Sequence, residues 1–206
     1  MSRASYLWRR LTPEQRVEIL TWRKRVHHPW HAPPHRRDAF HKRFHIAAAC
    51  YEHCPYIGRS PERMEDFAAN LLNSLAGCVE RVIAWCLLPN HYHVLVQTDN
   101  VLRVLWELGR LHGRTAHAWN GEESKRGRQV FHRAVERAMR SDGHFWATLN
   151  YVQHNPVHHG YVQLWTDWPW SSAREYLAAV GRQEAERRWR AHPVRDYGKA
   201  WDAPEL

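Results

Sequence analysis

Two histidines, His91 and His93, stand two positions apart in the run LLPNHYHVLVQT, which otherwise has the composition of a buried strand. Successive side chains of a strand point to opposite faces, so both imidazoles share one face and Tyr92 takes the other. Burying two imidazoles without partners costs free energy, whereas a metal ion can bridge their ring nitrogens. The spacing therefore fits a two-histidine metal site. A pair of structural histidines bonded to the backbone fits it about equally well.

A tyrosine and an asparagine in the second half of the chain could complete such a site. In the run TLNYVQHNPVHHG, a helix would bring Tyr151 and Asn155 to about 40° from each other around its axis. Both fall away from the apolar stripe of Phe145, Leu149 and Val152, so we expect them to face outward along one edge. Tyr151 could then be a nucleophile and the Asn155 amide oxygen a metal ligand. Taken singly, a rim tyrosine and a turn residue before proline are the commoner roles.

The elements that must position these residues are predicted from capping residues, turns and hydrophobic periodicity. Thr12 and Gln15 can form a capping box at the start of a basic helix that runs to about Val26. The sequence then predicts a central strand at 44–54, a helix from Ser60, and two strands at 79–88 and 91–98 joined by a Pro-Asn turn. After these come a helix at 101–120 and a strand at 129–135. A last helix in this region starts at Ser141 and ends by Asn155, because the residue before Pro156 is pushed out of the helical conformation. This order predicts an α+β fold, a ferredoxin-like antiparallel sheet with its helices packed on one face.

The same patterns predict buried faces and flanking segments. The helix from Ser60 should pack on the sheet through Phe67, Leu71, Leu75 and Cys78, and the helix at 101–120 through Leu105, Leu108, Thr115 and Trp119. A further helix is expected from Ser171 to about Arg190. We expect three segments: a basic N-terminal extension at 1–43, the main domain at 44–165 and a helical C-terminal extension at 166–206.

The charge balance favours a polyanionic partner. The chain has 206 residues, with 30 Lys and Arg against 21 Asp and Glu and a formal net charge of +9. Basic residues concentrate in the first 43 positions and in the run from Lys125 to Arg140, where Glu136 is the sole acid. Twelve tryptophans are interleaved with this charge, and flat aromatics beside cations suit stacking on unpaired bases. Two solvated basic surfaces around core tryptophans are the alternative.

The cellular compartment is predicted from the hydrophobicity of the first residues and from the cysteine content. Met1 to Arg10 lacks the apolar segment of a signal peptide, and no apolar stretch approaches membrane-spanning length. We therefore expect a cytoplasmic protein, with its four cysteines as free thiols and no membrane partner. Cys50 and Cys54 could suggest zinc, but no second pair of ligands at suitable spacing follows them, so zinc is not favoured there.

Three stretches together resemble the REP-associated tyrosine transposases, a branch of the single-tyrosine HUH transposases that act on single-stranded DNA. They are LPNHYHVLV at 88–96, LNYVQHNPVHHGYV at 149–162 and DWPWSSAREYL at 167–177. Their order and spacing agree with the family, and a weaker likeness extends from about Phe40 to Trp201. The chain departs from the pattern at Tyr92, where an aliphatic residue is usual, and at Asn155, where many relatives outside this branch have glutamine.

The resemblance implies a chemistry and a substrate. Tyr151 would attack a phosphodiester of hairpin-forming repeat DNA with a single-stranded foot, giving a 5′-phosphotyrosine and a free 3′-hydroxyl. His91, His93 and Asn155 would hold Mg²⁺ or Mn²⁺. The DNA phosphates would be bound by the N-terminal basic arm and by the cations of the second basic run, which are Lys125, Arg126, Arg128, Arg133, Arg137 and Arg140. The resemblance also implies a nucleoid-associated bacterial protein, acting as a monomer or a homodimer.

Other functions remain open at the level of sequence. A metal-dependent nuclease could use His91 and His93 with an activated water and no covalent step. A domesticated module could bind hairpin DNA without cutting it. No general base for Tyr151 is evident, since His144, two helical turns earlier, and water are equal candidates. Trp168 and Trp170 could stack on bases, although a structural corner is favoured.

Overall fold

The computed structural model of the chain describes residues 12, 14, 15, 17, 18, 21 and 42–194. Residues 42–194 lie in one unit, Ala39–Tyr197, and the six earlier residues in another, Met1–Asp38 with Gly198–Leu206. In the latter unit, Thr12 and Gln15 form the predicted capping box, each backbone N–H donating to the other side chain, at 2.9 and 3.3 Å. Most of the predicted basic helix and arm lies outside the described residues. The predicted boundaries at 43 and 165 stay predictions.

Four strands form an antiparallel sheet in the order β2, β3, β1, β4. The strands are β1 (Arg43–Ala49), β2 (Arg81–Leu87), β3 (His91–Gln97) and β4 (Val135–Ala138), and the helices described between residues 42 and 194 are α1 (Pro61–Ala76), α2 (Val101–Glu122), α3 (Asp142–His158), α4 (Ala173–Val180) and α5 (Arg182–Ala191). The α+β class and the central position of β1 are thus confirmed. None of the described helices is long and apolar enough to cross a membrane.

The register of the sheet assigns side chains to its two faces. Ile46 of β1 lies opposite Val94 of β3, and both are fully buried on the face that also carries Tyr92. There the Tyr92 ring contacts Phe67 of α1, with 6.0 Å between centroids, and its hydroxyl lies 3.0 Å from Nε2 of His112 in α2. Helices α1 and α2 therefore cover this face, as the ferredoxin-like arrangement predicts. Helix α3 packs on β2 and β3 and covers the opposite face.

Helices α1 and α2 begin at the predicted caps. Ser60 Oγ accepts from the Arg63 N–H at 3.2 Å, and Asn100 Oδ1 accepts from the Arg103 N–H at 3.0 Å. The predicted stripe of α1 is buried at Phe67, Leu71 and Leu75, and Cys78 lies half-buried beyond the helix end.

Helix α2 buries a different set of residues from the predicted one. They are Val104, Leu108, Leu111, His112, Trp119 and Asn120. The predicted face of α2 is wrong at Leu105 and Thr115, which are half-buried. The apolar side of α2 follows 104, 108 and 111 because α2 packs on α1 as well as on the sheet.

The first strand is shorter than predicted. It was expected to extend to Cys54 but ends at Ala49, and a 3-10 turn follows at Tyr51–His53. Glu52 and His53 have φ values of 56° and 53°. Backbone in this left-handed region cannot continue a strand, and such conformations in residues other than glycine store strain.

The predicted fourth strand at 129–135 is wrong, because β4 is Val135–Ala138. Phe131 is buried and stacks on Phe67 of α1 at 5.5 Å, so the apolar residues of this stretch fill the core as a connecting segment. The true strand lies at the sheet edge and is half exposed. Its polar composition, VERA, therefore gave a weaker strand signal than the buried connection before it.

Helix α3 continues past the proline that was expected to end it. Pro156 lies inside the helix, which extends to His158. Gly160, with φ of 74°, stops the helix just after His158, because the Gly160 N–H donates to the Val157 carbonyl and the Tyr161 N–H donates to the Pro156 carbonyl. This pair of hydrogen bonds is a Schellman motif, which requires one residue in the left-handed backbone conformation that glycine adopts most easily.

The segment 168–172 covers the outer edge of β2. The Leu87 N–H donates to the Trp170 carbonyl, the Ser172 N–H donates to the Trp85 carbonyl, and the indole of Trp168 donates to the Leu87 carbonyl at 2.8 Å. Trp168 is buried, so the structural role expected for it is confirmed. The tail predicted as a single helix from Ser171 forms two, α4 and α5, because Gly181 breaks it with φ of 78°.

Glu123, which follows α2, ties three guanidinium groups together. Its carboxylate lies 2.6 Å from Arg59, 2.7 Å from Arg63 and 2.7 Å from Arg128. The side chain is 11% exposed. Burial would raise the pKa of Glu123, but hydrogen bonds from Arg128 and Arg63 lower it to about 2. The charged carboxylate therefore stabilises the fold around the loop after α2.

We predict that Glu123→Gln lowers the free energy of unfolding by about 2 to 3 kcal/mol at pH 7, because the three guanidinium groups lose their counter-charge. The folded-state pKa lies below the ordinary 4.5, so this contribution is present above pH 4.5 and is lost as the pH falls toward 2. Urea denaturation at pH 7 and pH 3 measures it. Glu186→Gln, at an exposed pair 3.7 Å from Arg190, is the control. Equal stability of Glu123→Gln and the wild type at pH 7 would contradict the prediction.

Candidate active site

The turn between β2 and β3 is fixed from outside the hairpin. The Gly58 N–H donates to the Pro89 carbonyl at 2.9 Å, and the Leu88 N–H donates to the His91 carbonyl at 2.8 Å. A Cβ added to Gly58 would collide with the ring of Pro89. Glycine at position 58 thus permits the close approach that holds the start of β3 in place.

Asn90 sets the orientation of the His91 ring. The Asn90 carbonyl accepts from the Cys50 N–H, and its Nδ2 donates to the carbonyl of His53 at 3.2 Å. Its Oδ1 is therefore turned toward Nδ1 of His91, 2.7 Å away, and accepts the proton of that nitrogen. A neutral His91 then carries its lone pair on Nε2, on the side of the ring that faces α3.

His91 and Asn155 meet between the sheet and α3. Nε2 of His91 lies 3.1 Å from Oδ1 of Asn155, and both residues are buried. With the proton of His91 on Nδ1, both of these atoms are acceptors. Two acceptors this close repel unless a cation or a proton lies between them. The pair thus has the chemistry of two ligands of one ion.

Tyr151 reaches the second histidine of the motif. Its hydroxyl lies 3.3 Å from Nε2 of His93, and the two rings meet edge-on with 5.1 Å between centroids. The expectation that Tyr151 and Asn155 face outward is wrong, because they are 2% and 0% exposed. Helix α3 is buried nearly all round, since the sheet covers one side and the turn at Trp165–Asp167 and α5 cover another.

His45 of β1, which was not among the residues predicted for the site, joins the same cluster. Its Nε2 lies 3.1 Å from Nδ1 of His93, and its ring lies 6.0 Å from that of Tyr151. It is 3% exposed. The predicted fold did contain an indication of His45, because β1 neighbours β3 in a ferredoxin-like sheet. A histidine of β1 whose side chain points to the same face as His93 can therefore lie close to it.

Burial keeps the imidazoles of His93 and His45 neutral. Removal from water, then the nearby His159 and His158, lower the pKa of His93 to about 3. Burial, with His93 and Arg137 close by, also holds the pKa of His45 well below its ordinary value of 6.5. Neutral imidazoles have the lone pair that a metal ligand needs. Near neutral pH these rings are therefore available as ligands or hydrogen-bond acceptors.

The donor set fits a divalent ion. The amide oxygen of Asn155 lies 3.1 Å from Nε2 of His91, the rings of His91 and His93 meet edge-on with 5.0 Å between centroids, and all three residues are buried. Mn²⁺ accepts both nitrogen and oxygen donors, and Mg²⁺ prefers oxygen and uses substrate phosphates as further ligands. In the part of the chain that is described, no group of three or more His, Cys, Asp and Glu could hold a metal. A site here therefore depends on the amide oxygen of Asn155 as its third ligand.

Two further histidines lie near this cluster. The His159 ring meets that of His91 edge-on at 4.9 Å, and burial, then His158 and His53, lower the pKa of His159 to about 4. His144, named above as a possible base, stands in the first turn of α3, where its N–H donates to Ser141. Burial, then Arg137 and Arg140, lower the pKa of His144.

The six cations predicted to bind DNA are placed differently from one another. Arg128 pairs with Glu123 and lies over the ring of Tyr56 at 4.5 Å, so its contacts are structural. Arg137 lies opposite His45 in the register of β1 and β4, on the face of the histidine cluster, and is exposed. The remaining predicted cations are exposed, and they are Lys125, Arg126, Arg133 and Arg140. The pairing of β4 with β1 thus places Arg137 beside the histidine cluster.

Comparison with known proteins agrees with this fold. No family model matches the chain. A protein of Haemophilus influenzae, whose name provisionally assigns it to the REP-associated tyrosine transposases, is 33% identical over 100 residues, covering 44% of this chain and 57% of that protein. The chain thus spans little more than half the length of this relative. A solved structure of a REP-associated tyrosine transposase bound to a REP hairpin matches with a TM-score of 0.53.

The structural match has 17% sequence identity and covers 66% of this chain and 79% of the other, so it shows the fold. The fold and the buried cluster define an α+β protein with a histidine, tyrosine and asparagine site on one face of its sheet. The sequence match is with a protein named for the REP-associated tyrosine transposases, the family that the three sequence motifs resemble, and the structural match shows the fold.

We predict that His93→Gln makes the stability of the protein less dependent on pH. Between pH 6.5 and pH 5, an ordinary imidazole in the unfolded chain takes up a proton while the buried ring does not, so folding becomes less favourable by about 2 kcal/mol for this group. Urea denaturation at pH 7.5 and pH 5 should therefore show a smaller drop for the variant than for the wild type. An equal drop in both proteins would contradict the depressed pKa of His93.

Proposed function

We propose that the chain is a metal-dependent endonuclease and strand transferase that acts on single-stranded or hairpin DNA through a 5′-phosphotyrosine intermediate, as a REP-associated tyrosine transposase. The observation that carries the proposal is the 3.3 Å approach of the Tyr151 hydroxyl to Nε2 of His93, beside the 3.1 Å approach of Asn155 to His91. A tyrosine hydroxyl beside a histidine that can orient it is an arrangement suited to nucleophilic, covalent catalysis. The matched transposase structure is bound to a REP hairpin, which supports hairpin DNA as the substrate.

In the proposed reaction, the Tyr151 oxygen attacks the phosphorus of one phosphodiester. The Tyr151 hydroxyl gives up its proton as the new bond joins its oxygen to phosphorus. The bond from phosphorus to the 3′ oxygen breaks, and that oxygen takes up one proton to leave as a 3′-hydroxyl, so no net proton is gained or lost. Attack by a 3′-hydroxyl on the phosphotyrosine would reverse the step, so strand transfer needs no external energy source. The second basic run and the N-terminal arm would hold the DNA backbone.

The residues around Tyr151 prepare this step. The edge-on contact between its ring and that of His93, within a buried cluster, fixes the direction of the hydroxyl. His91, His93 and Asn155 would hold Mg²⁺ or Mn²⁺, and a bound ion would polarise the scissile phosphate and offset the charge that builds on its oxygens.

We predict that Tyr151→Phe abolishes the covalent protein–DNA adduct and slows cleavage by at least roughly a thousandfold, because no other oxygen replaces the nucleophile. A labelled hairpin oligonucleotide with a single-stranded foot is incubated with protein and Mn²⁺, and products are separated on a denaturing gel. Tyr176→Phe, in α4, is the matched control and should retain the adduct. Hairpin binding should persist in both variants.

Two outcomes of this assay favour other functions. Cleavage at the wild-type rate by Tyr151→Phe, without an adduct, would indicate a nuclease that uses an activated water. Tight hairpin binding by the wild type with no cleavage or adduct in either Mg²⁺ or Mn²⁺, across several repeat sequences, would indicate a DNA-binding module.

We further propose that Arg137, with Arg133, contacts DNA phosphates. Charge reversal at these positions, Arg137→Glu and Arg133→Glu, should weaken hairpin binding at all sequences and lower the slope of log affinity against log salt by about one for each contact. Fluorescence anisotropy over a range of NaCl concentrations measures both effects. Arg190→Glu, an exposed position on α5, is the control for net charge. Unchanged affinity and slope in Arg137→Glu would exclude a phosphate contact there.

A further inference from the structure

A row of three side chains crosses the buried face of the sheet. The hydroxyl of Tyr151 meets Nε2 of His93 at 3.3 Å, and Nδ1 of His93 meets Nε2 of His45 at 3.1 Å. The rings of His45 and His93 lie 5.1 Å apart and are tilted by 36°. Each nitrogen of His93 thus has a defined neighbour, and the neighbour at Nδ1 comes from a different strand.

The register of the sheet explains why His45 takes this place. Ala47 of β1 lies directly opposite His93 of β3, and His45 is two residues from Ala47, which makes His45 the diagonal neighbour of His93 on the same face. Diagonal neighbours are within reach of long side chains, and the small Ala47 leaves room between the rings. His45 is 3% exposed, so it meets His93 away from water.

We infer that His45 is a positioning residue, which accepts the Nδ1 proton of His93 and so turns the Nε2 lone pair of that ring toward Tyr151 and the ion site. The inference rests on the proposed function, because it takes His93 to be a ligand through Nε2. Nothing in the proposed reaction otherwise employs His45.

The hydrogen bond between the two rings can run in either of two directions. If His45 donated from Nε2, the proton of a neutral His93 would lie on its own Nε2 and would block that nitrogen as a ligand. If His93 donates from Nδ1, its Nε2 lone pair is open toward the site. The second direction alone is compatible with metal binding, because a ligating histidine commonly donates its other ring N–H to a hydrogen-bond acceptor.

The other histidine of the motif is oriented in the same sense. Asn90 Oδ1 accepts from Nδ1 of His91 at 2.7 Å, because its Nδ2 is committed to the His53 carbonyl. The two ligand rings would therefore be fixed by a matched pair of partners, an amide from the turn and an imidazole from β1. Both partners place the proton on Nδ1 and leave Nε2 for the site.

The test compares two replacements of His45. His45→Leu fills a similar space but cannot accept a proton, whereas His45→Gln can bring its amide oxygen close to the position of Nε2. We expect the affinity for Mn²⁺ alone, measured by titration calorimetry, to fall by roughly 10- to 100-fold in His45→Leu and to recover most of that loss in His45→Gln. His112→Leu removes a buried histidine from the opposite face and should keep wild-type affinity.

A spectroscopic measurement on the wild type needs no variant. Nitrogen NMR of the histidine rings in the metal-free protein should find the His93 proton on Nδ1. A proton on Nε2, wild-type Mn²⁺ affinity in His45→Leu, or a folded His45→Gln that binds as weakly as His45→Leu would each overturn the inference. Thermal unfolding of the variants shows whether they are folded. If the wild type itself binds no Mn²⁺, the proposed metal-dependent function fails, and the NMR result still decides the role of His45.

Discussion

Burial of three imidazoles on one face of a four-stranded sheet is the constraint on which the rest of the structure depends. His45, His91 and His93 are each no more than 5% exposed. Polar rings in such a place must find partners within the fold. Helix α3 supplies two of these partners, Tyr151 and Asn155, and therefore presents polar side chains to the sheet. The helix itself is buried on several sides. The chemistry proposed for the chain is a consequence of how these groups satisfy one another.

The surrounding segments hold the hairpin that carries the histidines. The segment Trp170 to Ser172 pairs with the outer edge of β2. It also contacts α3, because the side-chain amide of Gln153 donates a hydrogen bond to the Ser172 hydroxyl. On the other side, Gly58 and Asn90 fix the turn. An edge strand that is covered in this way offers no free edge for pairing with another chain. The three stretches that carry the family resemblance therefore supply the histidine pair, the helix of Tyr151 and Asn155, and the segment that covers β2.

The sequence predicted the class of fold, the caps of α1 and α2 and the shared face of His91 and His93, because these depend on local patterns. It missed features that depend on tertiary packing. Tyr151 and Asn155 were expected to face outward, since periodicity cannot reveal that a helix is covered on several sides. The end of α3 was placed at Asn155, because the penalty before Pro156 is local, whereas Gly160 and the packing of the helix decide the true end. His45 could be recognised only with the register of β1 against β3.

The most direct measurement of the central claim is the anomalous diffraction of a crystal soaked with Mn²⁺. The account predicts one strong peak bounded by Nε2 of His91, Nε2 of His93 and Oδ1 of Asn155, with the hydroxyl of Tyr151 beside it. A peak elsewhere, or none at a saturating concentration of the ion, would contradict the account.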